Sequence, residues 1–319
     1  MSTPKEIKVR DWLLEENQPA VRYYALTDLL DYPINDPEVR EAYSNIARKG
    51  WARDILKLQH KAGYWESRES LYNPKYTATN WRAIVLSDMG LASGDSRIEL
   101  TSNLLFKDWL DEKEENIFKE EICIVGNTAR MLTRFGYEDD ARVRRLFNRI
   151  MEDQKEDGGW HCFESDVGTL DCWEGLSALA SFPKPKRNRR MKNAIQRGAE
   201  FYLERRLFED GEKKYLPWFR LHYPNHYYYD ILVGLDVITK LGYASDKRLE
   251  PAVKILEEKA RADGKWVLDR LHPDVEPQYM PHYRMKGEPK PFTLEEQGKP
   301  SKWITLTALR VLKRIKDAS

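Results

Sequence analysis

Three copies of one short phrase divide this chain into helical hairpins. The phrase reads Gly136-Tyr137-Glu138-Asp139-Asp140-Ala141-Arg142 and again Gly242-Tyr243-Ala244-Ser245-Asp246-Lys247-Arg248, with a looser copy from Gly90 through Gly94-Asp95-Ser96-Arg97. Each copy follows an apolar stretch and precedes an amphipathic one. The glycine therefore reads as the C-terminal cap of one helix and the aspartate as the N-cap of the next. An array of such hairpins buries a continuous core only by stacking each on its neighbours.

A second phrase marks the far end of some hairpins: Gln59-x-x-x-Gly63-x-Trp65 and Gln154-x-x-x-Gly158-x-Trp160, with a worn copy in which Ala260 replaces glutamine ahead of Gly264 and Trp266. Gly211 supplies a fourth, weaker mark, and the set implies a repeat of roughly fifty residues. Gln-x-x-x-Gly-x-Trp at this spacing resembles the QW repeat of the squalene and terpenoid cyclases, whose fold is shared by protein prenyltransferase β subunits. The resemblance runs from about Pro19 to Ile315 and implies an all-α protein, an α/α toroid.

Helical periodicity gives six stretches apolar on most faces: 20–31, 78–91, 122–135, 170–182, 227–241 and 302–315. These are the expected inner helices. Stretches with one apolar stripe fall at 37–60, 96–111, 140–155, 190–207 and 247–262, and the segment Lys5 to Glu15 supplies a sixth, packing beside the last helix to close a ring of about six inner and six outer helices. With no Ser/Gly-rich linker, residues 1–319 are expected to form one domain. Two long connections, 209–226 and 267–300, are rich in Pro, Tyr and His. Tyr215, Trp218, Phe219, Tyr223, Tyr279 and Tyr283 suggest that they pack over the ring rather than remain disordered.

Lys and Arg number 53 against 52 Asp and Glu, which removes the electrostatic footprint of a nucleic-acid binder. The local cluster Lys184, Lys186, Arg187, Arg189, Arg190 reads as a solvated connection. No stretch reaches the roughly 18 apolar residues of a membrane span and no leader is evident, so the protein is expected to be cytoplasmic. Cys123, Cys162 and Cys172 fit a reducing compartment and contain no CxxC pair, so no zinc knuckle, metal or cofactor is expected. His226, His161, Cys172 and Asp171 have suitable donor types for a cross-helix zinc site but lack recognisable ligand spacing. His222, His272 and His282 fall in loops.

Polar residues at the first turns of inner helices are the expected lining of one mouth of a central cavity. Protonation-initiated cyclases carry an Asp-x-Asp-Asp motif there, and zinc-dependent prenyltransferases an Asp-x-Cys pair; neither is intact here. Asp171, with His161 and Glu174, is the nearest set for a catalytic acid, while capping by Asp171 of its own helix explains the residue equally simply. Trp81, Trp173, His226, Tyr228 and Asp230 are the expected wall, since aromatic faces suit an isoprenoid and its carbocations, although any one Tyr is also an ordinary packing residue. Arg22, Arg82 and Asn127 complete the set. An arginine here suits a phosphate or carboxylate, and a buried ion pair with Asp230 or Glu174 is the competing explanation.

No phosphate loop, DDxxD motif or Gly-x-Ser-x-Gly elbow occurs. The leading expectation is a divergent terpenoid-cyclase-like protein that binds or processes an isoprenoid or other apolar ligand, with acid-initiated cyclisation or isomerisation as its chemistry. The alternatives are a non-catalytic toroid holding a lipid or a partner protein, and a carbohydrate-active lyase or hydrolase using Asp171 and Glu174 as paired acids.

Overall fold

A computed structural model describes residues 4–111, 117, 121–211, 215–271 and 292–318. Tyr279, Tyr283, His272 and His282 of the second long connection lie outside the described residues. The described chain is helical, with three isolated β-bridges and no strand. We label its helices α1 (Pro4–Leu13), α2 (Pro19–Tyr24), α3 (Pro37–Asn45), α4 (Gly50–Lys57), α5 (Thr79–Asp88), α6 (Ser96–Leu105), α7 (Ile122–Arg134), α8 (Ala141–Glu152), α9 (Glu174–Ser181), α10 (Arg189–Glu204), α11 (Ile231–Ile238), α12 (Glu250–Glu258) and α13 (Lys302–Ala318). A π-helical turn, Ala25–Leu29, extends α2.

The expected inner stretches become α2, α5, α7, α9, α11 and α13, and all six face one central cavity. Their apolar residues enter one hydrophobic core, including Val21, Ile84, Leu132, Leu179, Leu235 and Val311. The remaining helices form the outer layer. On α8 the stripe Val143, Leu146, Phe147 and Ile150 is buried, as its i, i+3, i+4, i+7 spacing requires.

Both repeated phrases have a definite structural task. Asp95, Asp140 and Asp246 each accept a hydrogen bond from the backbone N–H two residues on, at 3.0, 2.9 and 2.9 Å. The arginine at that position then folds back as a fork: Arg142 Nε lies 2.9 Å from Asp140 Oδ1 and Nη2 lies 2.7 Å from Oδ2. Arg97 and Arg248 repeat the arrangement on Asp95 and Asp246. These hydrogen bonds hold all three carboxyls below their ordinary range.

The tryptophans tie each outer helix to the next hairpin. Nε1 of Trp65, Trp160 and Trp266 donates to the carbonyls of Ile55, Ile150 and Leu256, each at 2.8 Å. Gln154 Nε2 donates to Gly158 O and, across to α10, to Ala194 O at 2.9 Å; Gln59 does the same to Arg97 O. Gly158 sits at φ +91°, and a Cβ there would meet Arg197 O at 2.4 Å, so the glycine answers both to backbone conformation and to close approach.

The ends of the ring meet as expected. Lys302 at the start of α13 reaches Glu15 at 2.8 Å, and Lys302 and Lys265 lie over the Trp12 ring. Two boundaries differ from the sequence reading. The expected 37–60 helix breaks at Gly50, whose φ is +65°, and Gln18 Oε1 accepts from the freed N–H of Trp51. The expected 170–182 helix starts only at Glu174, because residues 160–169 form a bridged turn, Thr169 N donating to Trp160 O at 2.9 Å.

Candidate functional site

The six inner helices enclose a cavity of about 420 Å³, within the size range of small-molecule sites. Its floor is made by the first turns: Trp173 before α9, Leu232 and Val233 on α11, Trp303 and Ile304 on α13, with buried His222, Tyr223 and Asp230 and half-buried Asn225. Tyr223 stacks on Trp303 at 4.6 Å. Asp230 is the N-cap of α11, accepting from Val233 N at 2.9 Å, and its other oxygen accepts from His222 N and Asn225 Nδ2. One carboxylate thereby fixes both the helix start and the loop that floors the cavity.

The upper wall comes from the later turns of the same helices and is strongly charged. It carries Asp88 on α5, Arg130 and Arg134 on α7, Asp236 on α11, Lys240 just beyond it, and Arg310 and Arg314 on α13. Arg134 bonds Asp88, Arg310 bonds Asp28, and Arg314 Nη1 lies 2.7 Å from Asp236 Oδ1. Burial would raise the Asp236 carboxyl, but Arg314, Arg310 and Lys240 overcome this and hold it at about 2. Floor residues other than half-buried Asn225 are buried while Lys240 and Tyr43 are exposed, so the cavity opens at the C-terminal ends of the inner helices.

The opposite end is packed. Trp81 is buried, donates from Nε1 to Tyr72 O at 2.7 Å, and lies 5.2 Å from both Tyr76 and His226. The His226 carbonyl accepts from Asn127 Nδ2 at 2.9 Å. Burial, reinforced by Arg130, Arg82 and Lys75, pushes the His226 imidazole down to about 3, so it is neutral. Tyr228 is half-buried beside Tyr227.

Of the residues singled out in the sequence, the cavity brings together Trp173 and Asp230. Trp81, His226 and Asn127 form the packed layer beneath it. Arg22 lies outside, paired with Glu16 and Glu38. Asp171 is exposed, and Trp218 Nε1 donates to its Oδ1 at 2.7 Å; desolvation by the surrounding chain raises its pKa, opposed by that bond. The helix it was expected to cap begins three residues later, with Trp173 at the N-cap position and no side-chain cap. The ring of His161 bonds the backbone of Phe163. Glu174 is fully buried, and desolvation raises its carboxyl well above its ordinary range. None of Asp171, His161 and Glu174 lines the cavity.

Sequence reading missed the cations. Arg130 and Arg134, Asp236 and Lys240, and Arg310 and Arg314 are i, i+4 pairs, each one turn apart on one face of an otherwise apolar helical stretch. That pattern was the available signal. Arg130 is the most deeply buried of them, at 5% exposure. Its guanidinium lies 4.8 Å from the Trp173 ring, Nη2 donates to the neutral Asn127 Oδ1 at 2.8 Å, and Nε has no protein partner among the described residues. Burial lowers its pKa to about 10, leaving it a cation at neutral pH.

No family model matches this chain, and no curated protein does. Solved structures of similar overall shape include a protein from Actinoplanes (TM-score 0.48, 14% identity, covering 97% of this chain and 98% of that one). The type II terpene cyclase MstE from Scytonema is similar at TM-score 0.45 and 17% identity, over 95% of this chain and 87% of that one. A variant of MstE in complex with merosterolic acid A gives TM-score 0.47 and 17% identity, over 95% and 88%.

Proposed function

We propose that the central cavity binds an isoprenoid or similarly apolar ligand through an anionic head group. The observation that supports this is Arg130. A buried guanidinium without a carboxylate bonded to it is costly unless an anion completes its donors, and its one side-chain acceptor is an uncharged amide. Glu174 and Asp236 act on it through electrostatics but accept no hydrogen bond from it; a carboxylate or phosphate in the cavity can complete its donors, and a bidentate contact with arginine is among the strongest charge-assisted hydrogen bonds. Trp173, Tyr223, Trp303, Val233 and Ile304 offer an apolar surface for the remainder of such a ligand.

The reading is one of binding. Among the sequence-derived acids, Asp171 and Glu174 do not line the cavity, so neither an acid-initiated cyclisation nor a paired-acid attack on sugar draws support from them. Calorimetry with farnesyl phosphate and farnesol on the full-length protein tests the proposal. The phosphate is expected to bind at least about tenfold more tightly, a difference of about 1.4 kcal/mol, and Arg130→Gln to abolish that preference with its fold retained by circular dichroism. Equal affinity for the two ligands, or binding of neither, would overturn it.

A further inference from the structure

All three cysteines of the 319-residue chain meet at the closed end of the ring, although they come from separate segments. Cys123 lies in the first turn of α7. Cys162 lies within the bridged turn 160–169 and Cys172 just after it, and the turn is drawn tight where Gly159 and Gly168 touch: a Cβ on Gly168 would meet Gly159 Cα at 2.5 Å. A Cβ on Gly126 would meet the Glu174 backbone at 2.7 Å, so α7 sits directly against the start of α9 and carries Cys123 to the other two. Cys172 Sγ lies 3.2 Å from Cys162 Sγ, and Cys123 Sγ lies 3.6 Å from Glu121 Oε2. The ligand atoms of Glu121, Cys123 and Cys162 all fall within 4.8 Å of one another.

A second observation points to the same place. Glu174 is 0% exposed and neither carboxylate oxygen has a hydrogen-bond partner among the described residues; its electrostatic neighbours include the three thiols, Asp171 and Arg130. A buried carboxyl without a hydrogen bond beside three thiols marks a polar site rather than an ordinary core.

We propose that Glu121, Cys123 and Cys162, whose ligand atoms already cluster, bind one zinc ion, with Cys172, in contact with Cys162 but outside that cluster, turning in as the fourth ligand. Three sulfurs with one carboxylate are a soft, four-ligand set that selects Zn²⁺ over the hard cations. Tetrahedral coordination with Zn–S of about 2.3 Å and Zn–O of about 2.1 Å requires S···S of about 3.8 Å and S···O of about 3.6 Å; the Cys123–Glu121 distance of 3.6 Å matches, and Cys162 and Cys172, 3.2 Å apart, need to separate by about 0.6 Å to admit the ion. Each thiol that ligates releases its proton to solvent, with no change of oxidation state. The ion would cross-link the start of α7, the 160–169 turn and the start of α9, clamping the closed end of the ring independently of any ligand in the cavity.

The test is elemental analysis of the full-length protein, purified under reducing conditions from zinc-supplemented cells. About one zinc per chain is expected, with at least a tenfold loss of affinity in Cys162→Ser and in Cys172→Ser. Zinc retained undiminished in both variants overturns the proposal, as does a Cys162–Cys172 disulfide, or three readily alkylated thiols, in the zinc-treated protein. If the serine variants fail to fold, chelator-stripped wild-type protein is titrated with Co²⁺. A thiolate-to-cobalt charge-transfer band saturating at one equivalent supports the site, and its absence overturns it.

Discussion

Trp218 holds Asp171: the indole Nε1 donates to Oδ1 at 2.7 Å, pinning the connection after α10 to the segment that leads into α9. Because the bond needs only an acceptor oxygen, Asp171→Asn is expected to retain it and leave stability nearly unchanged. Asp171→Ala removes it at a cost of about 1 kcal/mol. Urea unfolding of the two variants distinguishes them, and equal losses would mean that the carboxylate charge, not the indole bond, is what matters.

Trp160 is fully buried, with its Nε1 on Ile150 O and its ring under Gly175 and Gly198, where a Cβ would meet it at 2.6 and 3.0 Å. Trp160→Ala removes an indole from a site whose backbone walls cannot collapse inward. We expect a loss of about 3 to 5 kcal/mol. Trp160→Phe keeps most of the volume and is expected to lose less, which chemical denaturation can measure.

Asp236 supplies the pH dependence of the upper cavity. Its folded pKa, about 2, lies below the ordinary 3.8, so its contribution is present above about pH 4 and is lost as pH falls through 2. Asp236→Asn should therefore be less stable than wild type at pH 6, and the two urea midpoints should converge toward pH 2. A gap that persists at pH 2 would assign the effect to packing instead of charge.

Removing residues 1–16 deletes α1 and with it Val9, which lies against Gly264, together with Glu15, which pairs with Lys302. The truncation uncovers the apolar surface that Val9 covers beside Gly264, so a marked drop in melting temperature and increased binding of a hydrophobic dye are expected. An unchanged melting temperature would mean that the ring does not depend on this closure.

The hairpins were legible from the chain because their signals are local. Gly136 and Asp140, or Gln154, Gly158 and Trp160, act within a turn or two of their own position, through backbone conformation, capping and a hydrogen bond ten residues back. Inner and outer helices were separable because burial on all faces and burial on one face leave different periodicities. Which end of the ring would open was not encoded locally. Aromatic residues at the first inner turns suggested a mouth there, yet Trp81 and His226 pack against Tyr76 and close that end. The charged wall formed by Arg130, Arg134, Asp236, Lys240, Arg310 and Arg314 exists only once three helices converge. The thiol cluster is the sharper case. Cys123 is 39 residues from Cys162 in the numbering, and no spacing rule joins them. A sequence specifies directly what neighbouring residues do to one another, whereas a site shared by distant segments is set by how whole helices pack, and here by the close approach of α7 and α9 at Gly126.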